Sequence, residues 1–180
     1  MSILLLFSLV LFSLLCSAFF SGMEIAFISS NKLKIELDNN KGEIGAKILS
    51  YFSDKPAWFI ATMLVGNNIA LVIYTLYMAV LLDPYLMAAG LGSSSILLLQ
   101  TIFSTIFILI FAEFLPKAIF RLNPNFILKL FSGILLVFYI LLWPITALVV
   151  YLTRVILRFF GKEDGSDEKV SFKKTDLDQY

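Results

Sequence analysis

The stretch Phe111-Ala112-Glu113-Phe114-Leu115-Pro116-Lys117 closes an uncharged run that begins at Ser95. A carboxylate at membrane depth is costly, and such groups usually line a cavity or a pathway instead of facing lipid. Pro116 lacks the backbone N–H that would pair with the carbonyl of Ala112, so that carbonyl loses its helical partner. The stretch therefore predicts a membrane-spanning helix that offers a carboxylate and a free backbone oxygen side by side.

The composition of the whole chain points to the same compartment. Of its 180 residues, 59% are hydrophobic and 15% are charged, whereas soluble domains carry about 45–50% apolar residues. Histidine is absent and Cys16 is the single cysteine, which excludes common zinc sites and an internal disulfide. There is no basic patch interleaved with aromatic residues, so nucleic acid is not an expected partner. Neither catalytic pairs nor a nucleotide loop occur, so we expect no enzyme activity.

Three apolar runs predict transmembrane helices at about residues 3–22, 57–82 and 95–117. Asp83-Pro84 is expected to end the second helix. Basic residues follow the first run but do not precede it, and the loop before the third run has no Lys or Arg. Positive charge prefers the cytoplasm. The sequence thus predicts a multi-pass protein of the inner (plasma) membrane, with its N-terminus outside and its C-terminus cytoplasmic.

Two further segments are predicted to lie on the cytoplasmic face. Residues 23–55 interleave apolar with charged side chains and break at Asn39-Asn40-Lys41-Gly42, which indicates a hairpin of two amphipathic helices. Within residues 126–160, the uncharged run 130–153 is long enough to cross, but Lys129 precedes it, Arg154 follows it and Pro144 divides it. We predict a juxtamembrane belt of two helices that bends back at Pro144, with a fourth span as the alternative. Residues 161–180 are predicted to be a polar linker toward a cytosolic region outside this sequence.

Oxygen-bearing side chains recur in all three predicted spans. Ser17 and Ser21 share one face of the first helix, and Gly22 beside them permits close approach of another helix. Asn67 and Asn68 follow Gly66 in the second helix, and only one of the two can point into a given site. At about 1.5 Å per residue, these positions fall between the midplane and the cytoplasmic side.

Together with Glu113, these groups are all hard oxygen donors, which suit Mg²⁺, Ca²⁺, Mn²⁺ or Na⁺ and not zinc or copper. Structural alternatives remain open at each position. A serine can bond to its own helix, an asparagine can join two helices, and Glu113 can pair with Lys117 one turn later.

Three motifs in order carry a resemblance to a known family. They are Ser17-Ala18-Phe19-Phe20-Ser21-Gly22-Met23-Glu24-Ile25-Ala26, Val65-Gly66-Asn67-Asn68-Ile69 and Ala112-Glu113-Phe114-Leu115-Pro116-Lys117. Over residues 1–160 the chain resembles the transmembrane domain of the CNNM/CorC magnesium transporters, whose bacterial members include hemolysin-related and gliding-motility proteins. The resemblance implies a homodimer with three spans per subunit and a belt-like juxtamembrane region. It also implies cytosolic CBS modules in the full-length protein.

The resemblance further implies a dehydrated Mg²⁺ held within the spans, and export of Mg²⁺ in exchange for Na⁺. Carried over motif by motif, the ligands are Ser17, Ser21, Asn67 and Glu113, with Asn68 as an additional candidate. The implied structural or gating positions are Gly22, Gly66, Pro116 and Lys117.

The chain departs from the family pattern at two places. Leu71 stands where many members have a second asparagine, and Ala112 where many have glycine. The loss of an oxygen ligand gives weight to a second hypothesis, a non-transporting membrane anchor or assembly subunit of a secretion or motility complex that keeps the same fold.

Overall fold

A computed structural model describes residues 2–90 and 92–159, and these residues are helical without any strand. The elements are α1 (Ile3–Ser29), α2 (Lys32–Asn40), α3 (Ile44–Ser53), α4 (Pro56–Ala88), α5 (Ser93–Phe107), a π-helical segment (Ile108–Phe114), α6 (Leu115–Leu122) and α7 (Pro124–Phe159). The all-α membrane class predicted from the sequence is confirmed. The predicted linker at residues 161–180 lies outside the described residues, as does residue 160 of the predicted belt.

The pair α1 and α4 forms the centre of the bundle and has the most extensive contact in it. Phe20, Phe27 and Phe59 lie in the core between them, and the ring centroids of Phe27 and Phe59 are 4.2 Å apart. Large apolar side chains elsewhere face outward, for example Leu4 at 83% exposure and Leu97 at 65%. An apolar surface of this kind fits a lipid environment and not water.

The hairpin predicted between the first two spans is present as α2 and α3. The side chain of Asn31 caps α2 by accepting a hydrogen bond of 3.2 Å from the backbone N–H of Lys34. Gly42 turns the chain between the two helices with a φ of 82°, a conformation that glycine adopts without strain. We call the end of the bundle that carries α2 and α3 the hairpin end, and the opposite end, at the α4–α5 connection, the loop end.

Two predicted helix ends are wrong. The first helix continues beyond residue 22 to Ser29, and α4 continues through Asp83-Pro84 to Ala88. A proline in the last turns of a helix removes one hydrogen bond without preventing the turn from continuing. The chain leaves the helical path at Gly90, which has a φ of 72°.

The predicted belt of two helices bent at Pro144 is also wrong, because α7 is one continuous helix with Pro144 inside it. Buried residues on both sides of the proline, Leu142 and Thr146, hold the two halves in place. Within the described residues, four helical stretches are long and apolar enough to cross a membrane. The fourth is α7, so the helices that qualify by length and composition number one more than the three spans predicted from the sequence.

The first turns of α7 are fixed to the hairpin by charge. The ammonium of Lys129 lies 2.5 Å from a carboxylate oxygen of Asp38 and 2.5 Å from one of Glu43. The hydrogen bond from Lys129 holds the pKa of the Asp38 carboxyl below its usual value. Beyond this point, Tyr139 packs against Phe52 with ring centroids 5.0 Å apart. The first half of α7 thus follows α3.

Candidate cation site between α1 and α4

The structure brings Ser17 and Asn67 into direct contact at the centre of the α1–α4 pair. The hydroxyl of Ser17 donates a hydrogen bond of 2.5 Å to the side-chain oxygen of Asn67, across 50 residues of sequence. Ser17 is fully buried and Asn67 is 8% exposed. Two oxygen atoms from different helices therefore meet inside the bundle, and their contact is the hydrogen bond between helices that was named as the structural alternative for an asparagine.

Ser21 lies one turn closer to the hairpin end on the same buried face of α1. Its hydroxyl is buried and has no hydrogen-bond partner among the described residues. Buried hydroxyls nearly always find a partner, and a serine in a helix can bond to its own backbone at low cost. Ser13, one turn on the other side of Ser17, does bond to the carbonyl of Leu9 in its own helix. We call Ser17, Ser21 and Asn67 the polar cluster.

Two glycines allow the helices around the polar cluster to approach closely. A Cβ atom on Gly66 would lie 2.6 Å from the ring of Phe20, and one on Gly22 would lie 2.6 Å from the ring of Phe120 on α6. Any side chain at these positions would overlap those rings. The close approach predicted at Gly22 is confirmed, and Gly66 provides a second one.

Glu113 lies on the π-helical segment, which packs on α1 with Ala112 fully buried. The backbone N–H of Leu115 pairs with the carbonyl of Ile110, five residues back, which is the π-helical pattern. Pro116, buried in the first turn of α6, has no N–H for the carbonyl of Ala112. The local irregularity predicted next to Glu113 is thus present, as a π-helical turn.

The side chain of Glu113 is partly exposed, and its nearest charged partner is Lys117, at 3.8 Å between carboxylate oxygen and ammonium. This contact is the ion pair named as the structural alternative for Glu113. Within the described residues, no hydrogen bond joins Glu113 to the polar cluster. The structure therefore brings Ser17 and Asn67 into contact, places Ser21 one turn away on the same buried face of α1, and leaves the carboxylate of Glu113 on the neighbouring segment.

Asn68 lies outside the polar cluster. It is exposed on α4, and its amide nitrogen donates to the carbonyl of Leu64 in the same helix at 3.0 Å. It lines a shallow outer groove together with Leu71 and Thr75. Of the two adjacent asparagines, Asn67 alone points inward, and Leu71, the replacement for the family asparagine, shares the outer groove with Asn68.

Two features of this region were not found from the sequence. The first is the π-helical turn itself, for which the proline after Glu113 gave only a partial signal. The second is Tyr74, two turns from Asn67 toward the loop end. Its side chain is fully buried and its hydroxyl has no partner among the described residues. Only the seven-residue spacing from Asn67 could have indicated that they share a face.

Comparison with known proteins gives a family for the chain as a whole. A family model described as the cyclin M (CNNM) transmembrane N-terminal domain matches residues 8–180. That match includes the polar cluster, the π-helical segment and α7.

Several bacterial relatives are similar over most of this chain. The UPF0053 inner membrane protein YfjD of Escherichia coli is 27% identical over 161 residues, which cover 89% of this chain and 36% of that protein. The UPF0053 protein MG146 homolog of Mycoplasma pneumoniae is 29% identical over 136 residues, 73% of this chain and 31% of that protein. The chain thus spans about a third of the length of the curated relatives it matches.

Proposed function

Because this chain belongs to the CNNM/CorC family of multi-pass membrane domains, we propose that it is the membrane domain of a transporter that exports Mg²⁺ in exchange for Na⁺. The observation that carries the proposal is the buried contact of Ser17 with Asn67, beside the unpartnered hydroxyl of Ser21. Ser17 and Asn67 satisfy one another, but the hydroxyl of Ser21 is buried without a partner among the described residues, and burying such a group has a cost unless something binds it.

The chemistry of this set favours a hard cation. Hydroxyl, amide and carbonyl oxygens suit Mg²⁺ or Na⁺ and bind softer metals poorly. Mg²⁺ gives up its water reluctantly, so a site that dehydrates it needs oxygens held in place beforehand. The tight contacts of Gly22 and Gly66 supply that rigidity.

Glu113 supplies the negative charge in this proposal. Its contact with Lys117, at 3.8 Å, is longer than a hydrogen bond and leaves the carboxylate oxygens available. An ion that arrives at the polar cluster would draw the carboxylate from Lys117 toward α1. We propose Lys117 as the group that holds Glu113 when the site is empty.

We further propose that the protein works as a homodimer by alternating access, without enzyme activity. Its N-terminus would lie outside the inner membrane, with CBS modules on the cytosolic side of the full-length protein. The hairpin end is then the cytoplasmic end, because the charges of α2 and α3 lie there.

In this orientation we propose that α7 lies along the cytoplasmic face and does not cross. Its first half follows α3, and its second half, at Val149, Val150 and Thr153, lines a cavity together with Pro56 and Ala61 at the start of α4. A helix that crossed beside α4 would contact residues progressively nearer to the loop end.

The deciding experiment measures Mg²⁺ binding and transport with one matched control. We expect Mg²⁺ at 100 times its dissociation constant to stabilise the purified protein by about 2.7 kcal/mol. Glu113→Gln should abolish both the stabilisation by Mg²⁺ and Mg²⁺ flux in proteoliposomes. The control Glu24→Gln, near the C-terminal end of the α1 motif, should keep both. A protein with no Mg²⁺ flux, whose stability is the same with and without Mg²⁺, would be the non-transporting anchor instead.

A further inference from the structure

A cavity of about 590 Å³ opens between the second half of α7, the end of α3 and the first turns of α4. It is separate from the polar cluster and shares no residue with it. Its floor lies where Lys55 and Pro56 begin α4, a helix long and apolar enough to cross a membrane. The cavity is therefore at the level of the membrane–water interface.

The lining of this cavity is aromatic on both sides. Trp58 and Trp143, the two tryptophans of the chain, both contribute to it, as do Tyr51 and Tyr139. Tryptophan and tyrosine are enriched at the depth of lipid headgroups, where one end of the ring system is apolar and the other is wet. The aliphatic wall consists of Val149, Val150 and Leu157.

The polar end of the cavity is mainly cationic. Lys55, the residue just before α4, and Arg154 on α7 line it, and Asp54 is the one acidic residue among the lining side chains. Within the described residues neither cation forms an ion pair with a carboxylate. Lys55 instead lies 5.2 Å from the centre of the Tyr51 ring. Both cations thus remain available to an anion.

We propose that this cavity binds the headgroup of an anionic phospholipid. The phosphate would lie between Lys55 and Arg154, whose guanidinium suits bidentate contact with phosphate oxygens. The glycerol and upper acyl chains would lie against the tryptophans and valines. Basic pockets next to membrane helices recognise anionic lipids in this way. The proposal is independent of the transport proposal, because it uses none of the same side chains.

A lipid in the cavity would add a link between α4 and α7, which already pack directly against each other outside the cavity. Lys55 belongs to the start of a central helix, and Arg154 lies near the end of the described part of α7. A phosphate that contacts both would hold the second half of α7 against α4. Lipid composition would then set how firmly α7 is attached to the bundle.

The two tryptophans make the test direct, because both are reporters of this one cavity. The protein is reconstituted in phosphatidylcholine with a small fraction of brominated phosphatidylglycerol, which quenches tryptophan on contact. The same measurement uses brominated phosphatidylcholine in a phosphatidylglycerol background. We expect a preference of about fivefold or more for the anionic lipid, since a basic residue near an anionic headgroup contributes about that factor.

The double variant Lys55→Gln/Arg154→Gln should remove the preference for the anionic lipid, so that the ratio is about one. The matched control is Arg121→Gln, since Arg121 is exposed on α6 and does not line the cavity. The control should keep the full preference. Equal quenching by both brominated lipids in the wild-type protein, or an equal loss in the control, would overturn the proposal.

A last measurement separates a lipid from a free anion. Soluble glycerol phosphate is added in excess to the reconstituted protein. We expect no relief of quenching by brominated phosphatidylglycerol, because the aromatic and aliphatic walls contribute to binding the lipid. Complete relief would mean that the cavity is a site for small phosphates, and the lipid proposal would be wrong.

Discussion

The hydroxyl of Ser17 donates to the side-chain oxygen of Asn67 at 2.5 Å, and this bond joins the two central helices at a buried point. On the same helix, Ser13 turns its hydroxyl back to the carbonyl of Leu9. Two serines one turn apart thus have different roles. Ser17 belongs to the candidate cation site because its partner is a side chain on another helix, whereas Ser13 bonds only within its own helix.

Replacing Ser17 with alanine should lower the free energy of unfolding by about 0.6 to 1.7 kcal/mol, the average and the largest value for hydrogen bonds between membrane helices. Ser13→Ala removes a bond within one helix and should cost much less. Thermal unfolding in detergent without Mg²⁺ measures both. Equal losses in the two variants would contradict a bond between helices at Ser17.

Gly66→Ala should destabilise the protein by about 1–3 kcal/mol, as overpacking of a core does. The added methyl group would lie 2.6 Å from the ring of Phe20, which is 4% exposed and packs edge-to-face against Phe138. Gly22→Ala should cost less, because Phe120 is only partly buried and can move aside.

The control for both glycine variants is Gly133→Ala, where nothing lies within 4 Å of the added carbon. That variant should gain about 0.5–1 kcal/mol, since alanine favours a helix interior. Thermal unfolding of the three variants gives the order. If Gly66→Ala were as stable as the wild type, the ring of Phe20 would be able to move aside and the prediction would be wrong.

The stability of the protein should depend on acid through Asp38. Its folded pKa lies below the unfolded value of about 3.9, so the carboxylate stabilises the fold above that value. This contribution is lost as the pH falls through the folded pKa. Melting temperatures from pH 7 down to pH 3 should fall more steeply for the wild type than for Asp38→Asn.

Glu36→Gln, at an exposed position of the same helix, serves as the control for this pH dependence. Its curve should follow that of the wild type. Parallel curves for wild type and Asp38→Asn would instead mean that the contact with Lys129 contributes nothing to stability.

The path of α7 can be measured with single cysteines in a Cys16→Ser background. We expect Arg158→Cys on α7 to react with a membrane-impermeant maleimide from the same side as Lys34→Cys on α2. Ser93→Cys, at the loop end, should react from the opposite side. If Arg158→Cys reacted from the same side of the membrane as Ser93→Cys, α7 would cross the membrane.

The sequence predicted helix ends least well where a proline signals the end of a helix but contacts with neighbouring helices keep the helix continuous. Asp83-Pro84 and Pro144 are strong local stop signals, yet both lie inside continuous helices. Neighbouring helices hold the chain on each side of Pro144 through Leu142 and Thr146. A lost hydrogen bond is then cheaper than a broken helix.

The sequence by itself determined the membrane class, the helical hairpin and the oxygen character of the candidate site, because these follow from composition, charge asymmetry and local spacing. The tertiary structure alone decided that Asn67 turns inward while Asn68 does not, that Ser21 is left without a partner, and that Lys129 joins the hairpin to α7. The physical reason is that such contacts depend on the rotation and separation of helices packed against one another. Residues as far apart in the chain as Ser17 and Asn67 carry no local signal of that packing.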